Sequence, residues 1–121
     1  LVVTTPQPTA QRVARRAALM AGQVDQEVIG IVENMSWFTG DDDKRYELFG
    51  DGGGAALAEE LGVPLMAQVP LVPAMREGAD VGRPVSVAAP DSEAAAAFEV
   101  LAKAVEEARP RVRTHPDLVI R

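Results

Sequence analysis

The apolar run from Val28 to Val32 constrains the fold of this chain more than any other stretch. Four of its five residues are β-branched, and no polar residue alternates with them. Such a run is typical of a strand that is covered on both faces, as strands are in a parallel sheet between two layers of helices. The sequence therefore predicts an α/β fold in which residues 28–32 form the central strand.

Predicted strands and helices alternate along the rest of the sequence. The order strand, helix, strand, helix, strand, helix indicates βαβ units with right-handed crossovers. It predicts a three-stranded parallel sheet in the order 1-2-3 with flanking helices. The outer strands are expected over residues 1–4 and 63–69. The first two helices are expected over residues 10–21 and 55–61. A short third helix is expected to begin at Pro73, and the last helix is expected from about residue 92 up to Pro110.

Finer expectations concern the helix ends and faces. Thr9 is a plausible N-cap of the first helix, and Asp91 or Ser92 can cap the last one. Residues 85–87 are expected to be extended. The apolar periodicity predicts the buried face of each of these helices. For the first helix it consists of Val13, Ala17 and Met20, and for the last helix it consists of Ala94, Phe98, Leu101 and Val105.

A projecting β-hairpin is predicted over residues 37–49. Aromatic residues stand on both sides of a polar turn that begins at Gly40, and four of the five aromatic residues of the chain lie in this segment. Such an arm either packs on a partner or folds back onto its own domain. The run Asp41-Asp42-Asp43 lacks the alternating ligands and the later bidentate glutamate of a calcium loop, so no metal ligand is predicted there.

Length, charge and composition exclude several classes of protein. The 121 residues suffice for one domain or a piece of a larger one, and the net charge of −6 opposes a nucleic-acid surface. No cysteine is present for disulfides or thiolate metal sites, and no apolar run approaches the length of a membrane span. A cytoplasmic protein is predicted. Because the chain opens at Leu1 inside a predicted strand, we expect further strands upstream.

Asn34 follows the central strand and is the leading candidate for a ligand contact. Ligands of open α/β sheets bind outside the carboxyl ends of the strands. A carboxamide presents an acceptor and two donors, a pattern that pairs with N6 and N7 of adenine. We therefore expect Asn34 to read an adenine ring; the alternative is a residue that caps the strand and forms a turn.

The glycine-rich turn Gly50-Asp51-Gly52-Gly53-Gly54 precedes a predicted helix. Such a turn can bind phosphate through its free N–H groups. No Lys-Ser/Thr pair follows it, so the P-loop signature is absent here. A flexible entry to a helix that packs through Leu57 and Leu61 is the favoured interpretation.

Several motifs taken together carry a resemblance to a known family. The sequence resembles the Mrp/ApbC iron–sulfur cluster carrier ATPases, relatives of the MinD and ParA deviant P-loop ATPases. The similarity extends from Leu1 to about Ala108. The matching motifs are Leu1-Val2-Val3-Thr4-Thr5-Pro6-Gln7, Gly30-Ile31-Val32-Glu33-Asn34-Met35-Ser36, Phe49-Gly50 with Gly52-Gly53-Gly54, and Pro70 to Gly78 with Gly82-Arg83-Pro84.

The resemblance implies a partial P-loop NTPase fold, with residues 1–109 as the C-terminal half of the ATPase domain and residues 110–121 as a polar tail. It further implies ATP and Mg²⁺ as ligands of the full-length protein, a homodimer, and apo iron–sulfur proteins as clients. In that family the asparagine corresponding to Asn34 contacts adenine, and the segment corresponding to Pro70-Leu71-Val72 lies against the base. Gln7, on the same sheet edge, is expected to approach the nucleotide or the partner subunit.

The sequence departs from the family at two places. The Walker A loop and the Walker B aspartate of the family are not among these residues, so no catalytic residue is predicted and these residues alone should not hydrolyse ATP. Many members carry Cys-x-x-Cys after the segment equivalent to Glu33 to Ser36, where this chain has none, so binding of an iron–sulfur cluster at that position is doubtful.

Two other classes of protein are alternatives to this family. A ParA- or MinD-like positioning ATPase would work on DNA or on a membrane, which the acidic balance and the Ala/Glu-rich last helix disfavour. A non-catalytic interaction module would use the aromatic arm to dock a partner and would bind no nucleotide.

Overall fold

The computed structural model describes residues 1–108, so the predicted polar tail over residues 110–121 lies outside the described residues. The strands are β1 (Val2–Thr4), β2 (Ile31–Asn34), β3 (Phe38–Thr39), β4 (Arg45–Tyr46) and β5 (Leu65–Val69). The helices are α1 (Pro8–Gln23), α2 (Gly53–Leu61), α3 (Pro73–Asp80), α4 (Val85–Ala88) and α5 (Glu93–Ala108).

The main sheet has three parallel strands in the order β1-β2-β5, which confirms the predicted topology. The central strand begins at Ile31, three residues later than predicted, and includes Asn34 as its last residue. The neighbouring strands account for the shift, because Val2 at the start of β1 pairs with Ile31. Residues 28–30 precede this register and lead into the sheet.

Helices cover the sheet from both sides, and each side has its own apolar core. On one side, Ile31 packs with Ala14 of α1 and with Leu57 and Ala58 of α2. On the other side, Val32 and Val69 pack with Ala97 of α5, and Met75 and Leu101 complete that cluster. Because successive β2 side chains point to opposite faces, Ile31 and Val32 are both apolar and buried, one in each core.

Helix α1 departs from its predicted start and buried face. It begins at Pro8 with Gln7 at the N-cap position, so Thr9 lies inside the first turn rather than at the cap. Ala14 and Ala18 face the sheet, whereas Val13 and Met20 are 66% and 62% exposed. Small side chains allow the helix axis to approach the sheet closely, and the larger Val13 and Met20 stay outside the core.

The hairpin is present and folds back onto the domain. Strands β3 and β4 are antiparallel, with Phe38 opposite Tyr46. Trp37 donates its indole N–H to Glu93 Oε2 at 3.0 Å, and Thr39 donates to the same oxygen at 3.1 Å. The Arg45 guanidinium carbon lies 4.2 Å from the centre of the Trp37 ring. The two hydrogen bonds to Glu93 therefore fix the arm to the start of α5, and the cation–π contact holds Arg45 and Trp37 together within the arm.

The segment from α4 to α5 also differs in part from the sequence prediction. Residues 85–87 are helical rather than extended, because the Pro84 carbonyl accepts from the N–H groups of Val87 and Ala88 at 2.9 Å each. Ser92 caps α5, with its Oγ accepting from the Ala95 N–H at 3.2 Å. The buried face of α5 consists of alanines 94, 95 and 97, whereas Phe98 remains 37% exposed.

Candidate functional site

The carboxyl ends of the three parallel strands lie along one edge of the sheet. Glu33 pairs with Thr4, and Asn34 pairs with Val69, the residue that precedes Pro70. The side chain of Asn34 is half-buried at this edge, and Pro70 is fully buried beside it. The predicted meeting of Asn34 with the segment after β5 is therefore present in the structure.

The segments that follow β2 and β5 continue side by side beyond the sheet. The Ser36 N–H donates to the Val69 carbonyl at 3.0 Å, and the Leu71 N–H donates to the Trp37 carbonyl at 2.7 Å. Leu71 and Val72 are half-buried, and α3 begins immediately after them with Pro73 in its first turn. These bonds extend the β2–β5 pairing and form the floor of the candidate site.

The turn at Asn34 carries backbone strain. Met35 has φ +56°, the left-handed region that a non-glycine residue adopts only where the surroundings hold it, at a cost of about 1–3 kcal/mol. The Oδ1 atom of Asn34 accepts from the Met35 N–H at 3.0 Å. Asn34 thus forms the turn contact that the alternative interpretation expected. Among residues 1–108 no acceptor bonds its Nδ2, so the two amide donors are free for a ligand.

Gln7 lies on the same edge at the start of α1. Its side chain does not cap the helix. Its Oε1 accepts from Thr5 Oγ1 at 3.2 Å, and its carbonyl accepts from the Gln11 N–H at 3.1 Å. Gln7 is therefore engaged with its own loop and is not brought into contact with Asn34.

A cavity of about 510 Å³ opens beside Asn34. Val3 and Thr5 of the first strand segment and Ala10 and Val13 of α1 line it together with Asn34. The walls are largely apolar, and the amide is one of few polar groups that face into it. The cavity lies on the β1 side of Asn34, and Pro70, Leu71 and Val72 are not among the residues that line it.

The glycine-rich segment is exposed at Gly50 and Gly52 but packed tightly at its last two glycines, which are the first residues of α2. Gly53 and Gly54 are buried. A Cβ atom at Gly54 would stand 2.7 Å from Glu33 Cβ, and one at Gly53 would collide with the Pro6 carbonyl oxygen. The N–H of Gly54 donates to Glu33 Oε2. This N–H is therefore already used inside the protein and does not belong to a phosphate cradle.

Glu33 is the residue at this site that sequence reasoning missed. It is 0% exposed, and its Oε1 accepts from Ser36 Oγ at 2.9 Å and from Gln68 Nε2 at 2.8 Å. The signal that could have identified Glu33 is its position directly after the apolar run of the predicted central strand. A carboxylate residue is almost never fully buried unless it is paired, so its presence there indicates buried hydrogen-bond partners.

The Asp42 carboxylate is held in the hairpin turn by two hydrogen bonds from the hairpin itself. Tyr46 donates its hydroxyl to Asp42 Oδ2 at 2.7 Å, and the Lys44 N–H donates to Asp42 Oδ1 at 3.2 Å. The Tyr46 hydrogen bond is the largest cause that lowers the pKa of Asp42, and Asp42 in turn raises the pKa of Tyr46. Within the described part of the chain, no group of three or more His, Cys, Asp or Glu side chains is arranged to hold a metal ion.

Two solved structures resemble this fold. The cell division ATPase MinD of Pyrococcus furiosus has a TM-score of 0.68 and 27% identity over 86% of this chain and 40% of MinD. A nucleotide-binding protein of Archaeoglobus fulgidus, solved in complex with ADP, has a TM-score of 0.63 and 28% identity over 93% of this chain and 42% of that protein. The fold is therefore that of the MinD-like P-loop NTPases.

The sequence comparisons define the family. The model of the ParA family described as NUBPL iron-transfer P-loop NTPase matches residues 1–106. The iron–sulfur cluster carrier protein of Synechocystis is 46% identical over 107 residues, which make up 87% of this chain and 30% of that relative. The chain belongs to the NUBPL iron-transfer P-loop NTPase family, and it spans about 30% of the length of that curated relative.

Among residues 1–108, no helix is both long enough and apolar enough to cross a membrane.

Proposed function

We propose that this chain supplies the adenine side of the nucleotide site in an iron–sulfur cluster carrier ATPase. The observation that carries the proposal is the position of the Asn34 carboxamide. It ends β2 beside Val69 and Pro70, and both of its amide donors are free among residues 1–108. In a parallel α/β sheet this edge is where ligands bind.

The base would lie between the amide and the half-buried Leu71 and Val72, with the fully buried Pro70 supporting that segment. Asn34 Nδ2 would donate to N7 of adenine, and Oδ1 would accept from N6 while sharing its second lone pair with the Met35 N–H. Guanine carries an oxygen acceptor where adenine carries the N6 donor, so the same amide would discriminate against GTP. Gln7 would contribute only after releasing Thr5.

The phosphate side of the site would come from residues outside this chain. A P-loop lysine, its backbone N–H groups and Mg²⁺ bind and neutralise the phosphates in P-loop NTPases. The full-length protein would accordingly bind ATP with Mg²⁺, hydrolyse it as a homodimer in the cytoplasm, and serve apo iron–sulfur proteins as clients. The present residues would contribute base recognition rather than hydrolysis.

The cluster is cargo in this proposal, and residues 1–121 contain no cysteine to ligate it. Iron–sulfur clusters are held mainly by cysteine thiolates. The hairpin turn from Gly40 to Asp43 is therefore no cluster site of the usual kind. Reconstitution of the full-length protein with iron and sulfide, followed by visible absorption, tests whether thiolates elsewhere perform this task.

Nucleotide selectivity tests the base-reading role. In the full-length protein, Asn34→Ala is expected to weaken ATP binding by about 1–3 kcal/mol and to leave GTP binding nearly unchanged. Isothermal titration with both nucleotides measures this, and the exposed Gln23→Ala in α1 serves as a control for loss of an amide. Equal affinities of the wild-type protein for ATP and GTP would refute base recognition by Asn34.

A further inference from the structure

The carboxyl group of Glu33 is the best-connected polar group in the described residues outside the proposed base contacts. It accepts hydrogen bonds from Ser36 Oγ, Gln68 Nε2 and the Gly54 N–H, which lie on the turn after β2, on β5 and at the start of α2. Burial of a carboxyl group is unfavourable unless hydrogen bonds compensate it. Glu33 therefore joins three separate segments at a single point below the strand end.

One of these segments is the turn that carries Asn34. Ser36 Oγ lies 2.9 Å from Glu33 Oε1 and 3.0 Å from the Glu33 carbonyl oxygen, so its one hydroxyl proton is shared between two acceptors on the same residue. This closes the four-residue turn from Glu33 to Ser36 around the left-handed Met35. The orientation of the Asn34 side chain depends on that closure, because Asn34 lies between its two ends.

The hydrogen bond between Glu33 and the Gly54 N–H attaches this turn to the start of α2. The α2 N-terminus approaches Glu33 so closely that only glycine fits at position 54. A helix N-terminus carries partial positive charge, which favours a carboxyl group at this point. Movement of α2 and movement of the Asn34 turn are therefore linked through one side chain.

We infer that Glu33 is a positioning residue that sets purine selectivity by holding the turn from Glu33 to Ser36 in the conformation that presents Asn34 to the base. The inference rests on the proposed function, because it takes Asn34 as the base contact. Glu33 itself is fully buried against the start of α2, so in this inference it acts through Asn34 and not on the base.

Purine selectivity separates this role from a merely structural one. A residue that only stabilises the fold would, when changed, lower the affinities for ATP, GTP and inorganic triphosphate together. A residue that orients Asn34 would lower the ATP affinity alone, because GTP and triphosphate do not use the amide.

The experiment uses the full-length protein and measures binding of ATP, GTP and inorganic triphosphate to three variants. Glu33→Gln keeps the side-chain shape but turns an NH₂ group towards one of the present donors. Ser36→Ala removes the hydroxyl that closes the turn and leaves Glu33 in place. Glu106→Gln, an exposed position on α5, is the matched control for loss of a carboxyl group.

Both site variants are expected to reduce the ratio of ATP to GTP affinity about five- to tenfold, the effect of losing one hydrogen bond, with triphosphate binding unchanged. Glu106→Gln should keep the wild-type ratio. If Glu33→Gln fails to fold, Ser36→Ala decides the question. A wild-type ratio in Ser36→Ala, or an equal loss of all three ligands, would overturn the inference.

The Asn34→Ala variant distinguishes this failure from failure of the proposed function. If Asn34→Ala loses the ATP preference while Ser36→Ala keeps it, Asn34 reads the base and Glu33 does not position it. If Asn34→Ala keeps the preference for ATP over GTP, the proposed base contact is wrong, and the positioning role inferred for Glu33 is then wrong as well.

Discussion

Glu33 and Gly54 are joined by a hydrogen bond from the backbone N–H at the start of α2 to the buried carboxyl group at the end of β2. They are 21 positions apart in sequence, and the pair fixes the distance between the helix and the sheet. The absence of a side chain at position 54 is what permits this distance. The contact links the candidate base-binding turn to the helical layer beneath it.

Gly54→Ala should destabilise the protein through this contact. The new Cβ atom would stand 2.7 Å from Glu33 Cβ, so α2 must shift, and overpacking of this kind costs about 1–3 kcal/mol. Urea unfolding measures the loss. Gly22→Ala in α1 is the matched control, because nothing lies within 4 Å of its Cβ position, and it should be neutral or stabilising by up to about 1 kcal/mol. Equal stability of the two variants would contradict the close approach.

Glu93→Ala should release the hairpin from α5. The change removes the acceptor shared by Trp37 Nε1 and Thr39 Oγ1, while Arg45 remains stacked on the indole. Trp37 is the only tryptophan of the chain, so its fluorescence reports on the arm alone. We expect a red-shifted and less intense emission as the indole gains access to water.

The control for this prediction lies on the same helix. Glu99→Ala removes an exposed pair with Lys103 at 2.7 Å and should leave the emission unchanged. An unchanged spectrum in Glu93→Ala would show that the arm is held by other contacts.

Asp42 should titrate below its ordinary pKa of 3.8 because of the hydrogen bond from Tyr46. A lowered pKa in the folded state means that the interaction stabilises the protein above pH 3.8, and that this contribution is lost as the pH falls through the lowered value. Carboxyl NMR chemical shifts against pH measure the midpoint. In Tyr46→Phe the midpoint should rise towards 3.8, whereas Tyr46→Phe with an unshifted Asp42 midpoint would exclude the hydroxyl as the cause.

The outer edge of β1 should promote self-association of the 121-residue chain. Among the described residues β1 pairs only with β2, and Val3 on it is 58% exposed. Unpaired strand edges with apolar side chains favour pairing with another chain. Size-exclusion chromatography with light scattering should show species larger than a monomer, and Val3→Lys should shift them towards the monomer. A wild-type monomer at high concentration would contradict this.

The sequence specified those features that depend on local pattern. The β-branched run predicted a buried central strand, the helix predicted over residues 55–61 ends where α2 ends, Pro73 marked the start of α3, and Ser92 proved to be the cap of α5. Strand order followed from the alternation of elements, and the motifs around Asn34 and Pro70 indicated the family. These features are readable because periodicity, proline, glycine and caps act within a few residues of chain.

Only the tertiary structure decided which faces pack and which polar groups meet. The sequence placed Val13 and Met20 in the core, but α1 packs through Ala14 and Ala18 because a close helix–sheet distance excludes large side chains. It treated Gly54 as a flexible entry and gave Glu33 no part, yet these two residues meet across 21 positions. Such contacts depend on how remote segments are packed together, and no local pattern encodes that arrangement.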